Sequence, residues 1–538
     1  MRPMLAASRR GGTGLEIQRP GRSAGDPPGA DSHRSGPPTH NERLRELTSD
    51  IRTIGRHALV YGTGIAMGRL AGFIMLPIYT RFLTRADYGI LELLTLTVDF
   101  IGTIAGVGLA AAVFKFYADA KDPTDKRRLI STAEITLVVL TLIACGAGLL
   151  ASPVLGRAVL GVEGGAQYFR LFFVVYFLQA GEAIPLLYLR ARNRSVAFVL
   201  LNVAKLVTAL GLNIYFVVVL RLGVLGVLYS SLIAGTVFTT ALSIYLVRAV
   251  GLGFSADKCR AMVRFGAPMV LWFLANFVLV FSDRYFLNHY RGGDSVGVYS
   301  LAYRFGMLIS AFGFQPFNLV WAPQRFEIAN RADGQDTIRR VFGYLSLLLG
   351  MAGVMVGLFA GEVIRIMAAP EFHAAARIVP VLIGGQILYH WVTFPNLSIL
   401  ITERTRVLGV LAVVTASIGL ALNAVLIPRF GVMGAAIATL AAYAIRFTIV
   451  YVVAQRIHRF EYGWGFVTRA FVLFTGLMSI KLLAPISRIV PGLVLSSALA
   501  MLGIFVVYAW ILDDRERRLL RELVAIIGER ARGVRGRS

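Results

Sequence analysis

Arginines in the middle of apolar stretches are the first residues in this chain that could do chemistry. Arg69, Arg284 and Arg304 each sit inside long runs of hydrophobic residues. A guanidinium in such a setting is costly, so it faces a partner or a watery cavity rather than hydrocarbon. Its planar fork binds carboxylate or phosphate oxygens in bidentate fashion. Acids accompany these cations. Glu92 and Asp99 are seven positions apart, hence on one helical face, and Glu182 lies where Lys205 can pair with it. A carboxylate in a low-dielectric cavity can exchange a proton or bind Na⁺, which makes Asp99, Glu92 and Glu182 candidates for ion coupling. The competing assignment for Asp99 is charge partner of Arg69. Asn276 and Asp283 share another face, as do Arg304, Ala311 and Gln315. These polar groups could bind hydroxyl-rich ligands or simply bond helix to helix. Arg304 could equally be tied to Asp283 as a structural bridge. Tyr389-His390-Trp391 could stack on a sugar ring or pack in the core. No Cys/His cluster has metal-ligand spacing, and Cys145 and Cys259 fall in segments too different to pair.

The elements that must position these groups are membrane-spanning helices. Of 538 residues, 56% are hydrophobic and 16% charged, against roughly a quarter charged in soluble domains. Apolar runs bounded by loop signals predict fourteen spans: 57–82, 88–111, 130–154, 166–189, 196–219, 223–247, 265–289, 296–322, 339–361, 378–401, 407–427, 431–455, 466–485 and 492–512. The fold class is therefore an all-α integral membrane protein. At 1.5 Å per residue, Arg69 lies about 20 Å from the far end of the first span, near the bilayer midplane. Arg284 and Arg304 come out at roughly 8 and 12 Å from the same side. Glu134 and Lys481 lie near span ends and are expected to snorkel.

The net charge of +25 has a location. When basic residues within three positions of a span end are counted with the adjoining loop, 39 of the 55 Lys and Arg lie on the side of the amino-terminal tail and nine on the other. Cytoplasmic loops attract Lys and Arg, so both termini are expected in the cytoplasm. The charge then answers to topology and anionic lipid, not nucleic acid. Residues 1–55, rich in Gly and Pro, read as a disordered tail, and residues 513–538 as a basic amphipathic tail on the inner leaflet.

The chain also repeats itself. A shift of 208 residues brings Arg56 onto Arg264, Tyr88-Gly89 onto Val296-Gly297, and Arg248 onto Arg456; between the fourth and fifth spans the shift is 210, with Pro185 on Pro395 and Asn213 on Asn423. The repeat predicts two six-helix lobes, 56–248 and 264–456, related by a pseudo-two-fold axis along the membrane normal. Two extra helices occupy 466–512. Such a plan suits alternating access, with the ligand between the lobes. Pro77, Pro185, Pro268, Pro316 and Pro395 are candidate hinges.

Several stretches resemble the polysaccharide transporter (Wzx-type) family of the multidrug/oligosaccharidyl-lipid/polysaccharide superfamily. They are Leu76-Pro-Ile-Tyr-Thr-Arg-Phe-Leu-Thr-Arg-Ala-Asp-Tyr-Gly89, Phe265-Gly-Ala-Pro268, Ser282-Asp-Arg-Tyr285, Val296 to Arg304, Val320-Trp-Ala-Pro323, and Asn423 with Ile427-Pro and Gly431 to Ala438. The resemblance implies a flippase that carries an undecaprenyl-diphosphate-linked oligosaccharide, or a related envelope glycolipid, to the outer leaflet of the bacterial plasma membrane. Arg69, Arg284 and Arg304 would then receive the diphosphate, with Asn276, Gln315 and Asp283 toward the sugars. It implies a monomer without cofactor, coupled if at all to H⁺ or Na⁺, alongside polysaccharide polymerase and export machinery. The rival readings are a lipid II flippase, a multidrug antiporter, whose cavities favour acids over arginines, and a polytopic glycosyltransferase or polymerase. The enzyme would need an outward Asp-x-Asp or His/Asp loop; the adjacent acids Asp513-Asp514 fall on the basic side instead.

Overall fold

In the computed structural model, residues 75–192, 194–484, 488–511, 514 and 516–518 are described. The amino-terminal tail, most of the first expected span including Arg69, and the amphipathic stretch of the carboxyl tail lie outside them. Among the described residues the secondary structure is entirely helical. Helical residues 75–82 lead into α1 (Arg85–Gly106) and α2 (Leu109–Asp119). Next come α3 (Pro123–Leu155), α4 (Gly165–Ala180), α5 (Ala183–Ala191), α6 (Ser195–Asn213) and α7 (Gly223–Val250). The second half holds α8 (Ala256–Arg291), α9 (Gly293–Ile309), α10 (Gln315–Ala329), α11 (Gly334–Met367), α12 (Val379–Trp391), α13 (Thr393–Ile401) and α14 (Thr405–Ile457). The last two are α15 (Trp464–Leu483) and α16 (Ile489–Val506).

Among the described residues eleven helices are long and apolar enough to cross a membrane, or twelve when the pair Pro370–Arg377 and Val379–Ile401, bent by 49°, is taken as one span. Of the fourteen expected spans, the first lies mostly outside the described residues, and others are joined or broken. The eleventh and twelfth expected spans run together in α14, broken at Gly431, whose φ of 55° and ψ of −130° no helix accommodates. The helices also outrun the apolar stretches. α8 begins nine residues before its expected span, because Ala256–Arg264 continues the backbone ladder through charged residues that solvent can cover.

Expected spans are interrupted where local chemistry demands it. The second divides at Val107 and Gly108, both left-handed. A methyl group on Gly108 would lie 3.1 Å from the Gly266 carbonyl oxygen, and one on Gly266 1.9 Å from that of Val107. Bare backbone at both positions lets the start of α8 press onto the α1–α2 joint. The seventh span packs against α2 and α3 near its beginning and runs along α14. It meets α1 as far along as Tyr285, whose hydroxyl lies 3.0 Å from that of Thr97. At its far end Arg291 donates to the Pro428 carbonyl at 2.7 Å. α1 packs along α9, and α11 carries both α15 and α16.

Candidate functional site

Where α1 meets α9, residues from the two sequence repeats come together. Near the α1 start, Gly89 and Gly297 allow the two backbones to touch. Further along, Arg304 on α9 reaches across to Glu92 on α1, with 3.8 Å between guanidinium and carboxylate. The guanidinium also sits over the Tyr88 ring, 5.1 Å from its centroid. Its side chain remains 43% exposed, an unusual state for an arginine deep in an apolar helix. A loose ion pair with one accessible face leaves the fork able to take a second anion. Tyr79 lies nearby on the first helical segment, its hydroxyl donating to Asn213 of α6 at 3.1 Å.

Arg284 is in a different setting. It is 1% exposed and forms an ion pair of 2.7 Å with Asp283. The same nitrogen donates to the Val280 carbonyl at 2.9 Å, and the guanidinium lies 3.9 Å from the Tyr303 ring centroid. Asp283 in turn accepts from the Tyr299 hydroxyl and from Thr439 of α14, the latter at 3.1 Å. Tyr303 meets Tyr443 of α14 hydroxyl to hydroxyl. Asn423, also on α14, donates to Ser282 at 3.1 Å. This cluster fastens α8, α9 and α14 together, while the buried Nε of Arg284 has no hydrogen-bond partner.

The expected alternatives sort as follows. The Arg304–Asp283 bridge is not formed, because Arg284 and two hydroxyls already occupy Asp283. Asn276 donates to the Trp272 carbonyl of its own helix, and Gln315 is exposed at the start of α10. Asp99 is exposed on α1, and among the described residues no cation forms an ion pair with it. Glu182 is buried and paired with Lys205, as its position suggested, with Thr239 donating to its other oxygen at 3.3 Å. Lys481 does not snorkel. It turns inward to Glu362 of α11 at 2.6 Å, and further donates to Ser496 and the Gly492 carbonyl of α16. The aromatic run is core: His390 stacks on Phe314, and Trp391 packs against Phe342, Phe447 and Trp464.

Sequence reasoning missed Tyr299, Tyr303 and Thr439 as partners of the buried charges. Tyr299 and Tyr303 stand four apart on one face of α9, a signal that was present but equally consistent with ordinary core packing. Cys145 is free and buried, and Cys259 is free and half-buried, accepting from Thr136 at 3.4 Å.

Paired helices, an exposed arginine between two repeats and buried charges on neighbouring helices define a polytopic membrane protein, and its architecture has known counterparts. The lipid II flippase MurJ in an inward closed conformation superposes with a TM-score of 0.69 at 11% identity, over 84% of this chain and 99% of that one. An inward-facing multidrug resistance transporter of the MATE family, in the MOP superfamily, gives 0.59 at 17% identity over 72% and 94%. Residues 54–329 match the polysaccharide biosynthesis protein family, and the chain belongs to it. Similar proteins include a probable low-salt glycan biosynthesis flippase, Agl15 of Haloferax volcanii, 22% identical over 72% of this chain and 79% of that protein. The succinoglycan biosynthesis transport protein ExoT of Rhizobium meliloti is 26% identical, over 44% of this chain and 46% of its own.

Proposed function

We propose that the chain is a flippase that moves a lipid-linked oligosaccharide between leaflets by alternating access of its two repeats. The observation that carries this reading is Arg304, an accessible guanidinium at the meeting of α1 and α9, paired only loosely with Glu92. A diphosphate would compete with that single carboxylate for the fork, gaining two or more charge-assisted hydrogen bonds. Family membership and the names of the similar proteins support a polysaccharide substrate. The substrate proposed is an undecaprenyl-diphosphate oligosaccharide in the bacterial plasma membrane, with fourteen spans and both termini on the cytoplasmic side. Arg69 is proposed as a second phosphate ligand. Arg284, as placed here, serves the packing around Asp283, and would reach substrate only after α8 and α9 part. Asp99 and Glu92 are the proposed route for H⁺ or Na⁺ coupling, and delivery to polymerase and export machinery is the proposed fate of the product.

The test is flipping of a defined undecaprenyl-diphosphate oligosaccharide in proteoliposomes, with pH, Na⁺ and membrane potential varied. Arg304→Ala is expected to lose about tenfold or more, the scale of one charged hydrogen-bonded contact, with Arg304→Lys between. Wild-type flipping by Arg304→Ala would overturn the assignment. Lipid II offered in the same vesicles separates polysaccharide export from cell-wall precursor transport.

A further inference from the structure

Away from the repeat interface, at the end of the molecule richer in Lys and Arg, a cavity of about 660 Å³ opens between the starts of α11 and α15. Arg339 and Arg340 line it from α11, one turn before Tyr344, and Arg469 lines it from α15, facing back toward Trp464. Glu516, beyond α16, closes one edge by accepting from the Tyr344 hydroxyl at 2.7 Å.

Two of these arginines, Arg339 and Arg469, are held in place from behind, and the charge of all three is left unspent. The Arg339 stem lies along Gly463, where a methyl group would come within 3.3 Å of its Cγ. Arg469 fixes one nitrogen on the Gly465 carbonyl at 3.2 Å, leaving the rest of its fork turned out. Two acids, Asp336 and Glu516, share the cavity. Yet among the described residues no carboxylate forms an ion pair with Arg339, Arg340 or Arg469. All three arginines are exposed. Trp464 and Tyr344, both partly exposed at the mouth, are the residue types that settle at the boundary of hydrocarbon and headgroup. Basic pockets between spans at that depth are suited to lipid phosphate.

We propose that this cavity binds the phosphodiester of an anionic phospholipid headgroup, with Arg339, Arg340 and Arg469 as its ligands. The site is separate from the Arg304–Glu92 pair and stands whether or not the chain is a flippase. Arg456 and Arg459 line a second opening, which shares Gly463 and Trp464 with the first.

The experiment is native mass spectrometry of the purified full-length chain in detergent, titrated with phosphatidylglycerol or phosphatidylcholine. Wild-type protein is expected to retain phosphatidylglycerol in preference, and R339Q/R340Q/R469Q to weaken it by about fivefold for each arginine removed. R340Q alone, a change at an exposed position, gives the same reading at smaller amplitude if the triple variant does not fold. Equal retention of the two lipids, or equal phosphatidylglycerol binding by wild type and R340Q, overturns the proposal. Release of the lipid by millimolar inorganic phosphate makes this a free-phosphate site and overturns the lipid assignment.

Discussion

Gly89 and Gly297 occupy equivalent places in the two repeats, and each rests on the backbone four residues before the other. A methyl group on Gly89 would lie 2.2 Å from the carbonyl oxygen of Gly293, and one on Gly297 2.2 Å from that of Arg85. The spacing of 208 residues relates Gly89 to Gly297 and Arg85 to Gly293 alike, so the contact is reciprocal between the two aligned segments. Any Cβ here must push α1 and α9 apart. Gly297→Val is expected to open this end of the interface. A cysteine introduced at buried Ser300 should then react at least about tenfold faster with a membrane-impermeant maleimide, since backbone overlap of this size costs more than a surface ion pair. Unchanged labelling would show that the glycine contact does not hold the helices together.

Charges around the same contact should matter far less. Arg85 stands 3.3 Å from Asp294 and 3.9 Å from Glu371, with all three side chains substantially exposed. Exposed pairs contribute about 0–1 kcal/mol. Asp294→Asn and Glu371→Gln are therefore expected to change the Ser300 labelling rate by less than about fivefold, an effect that salt further shrinks. A change as large as that of Gly297→Val would reverse the ranking of backbone packing over surface ion pairs.

The two structurally placed arginines should separate cleanly in stability. Asp283 and Arg284 form a buried pair, so removing one partner leaves an uncompensated charge, at a cost of about 3–5 kcal/mol. Asp283→Ala is expected to lower the thermal unfolding midpoint of the solubilised protein by several degrees. Arg304→Ala, losing only a loose pair at an accessible position, should unfold like wild type. Comparable losses in both variants would mean that Arg304 is structural.

Much of this arrangement was legible in the sequence, and the rest was hidden for physical reasons. The residue types inside the spans, the Glu182–Lys205 pair and the 208-residue repeat that makes Gly89 and Gly297 equivalent all follow from spacing; that the two glycines touch does not. Partner choice does not. Neighbours in sequence point to different sides of a helix, so Asp283 looked available to Arg304. In the structure the long Arg284 side chain folds back, and its own backbone N–H also donates to Asp283 at 2.9 Å. Lys481 misled through depth alone: its position near a span end suggested solvent, whereas α11 and α16 converge there and cover it. Breaks such as that at Val107 depend on a glycine 159 positions away, Gly266, which no local pattern announces.

Ion coupling should follow the unpaired acid rather than the paired one. Glu182 is already matched by Lys205 and Thr239, whereas Asp99 is exposed and forms no ion pair among the described residues. In the flipping assay, Asp99→Asn is expected to flatten the dependence on pH or Na⁺ while preserving the folded protein. Glu182→Gln should reduce stability and leave the form of that dependence unchanged. The opposite pattern would move coupling to the α5–α6 region.

A buried polar constellation ties the last two helices to α11. Lys481 of α15 bonds Glu362 of α11 at 2.6 Å and Ser496 of α16 at 2.8 Å, while Ser496 donates on to the Leu358 carbonyl. Gly492 has no side chain because a methyl group there would come within 2.4 Å of the Glu362 carboxylate. Breaking such a pair from one side costs about 3–5 kcal/mol, whereas an apolar replacement of both partners is often neutral. Lys481→Met is therefore expected to expose the α15–α16 pair to limited proteolysis in detergent, cleaving near residue 463 at least several-fold faster. Combining it with Glu362→Leu should restore most of the resistance. If the double variant is cleaved as readily as the single, apolar packing among Leu358, Leu477 and Leu499 cannot substitute for the ion pair, and the charges themselves hold these helices in place.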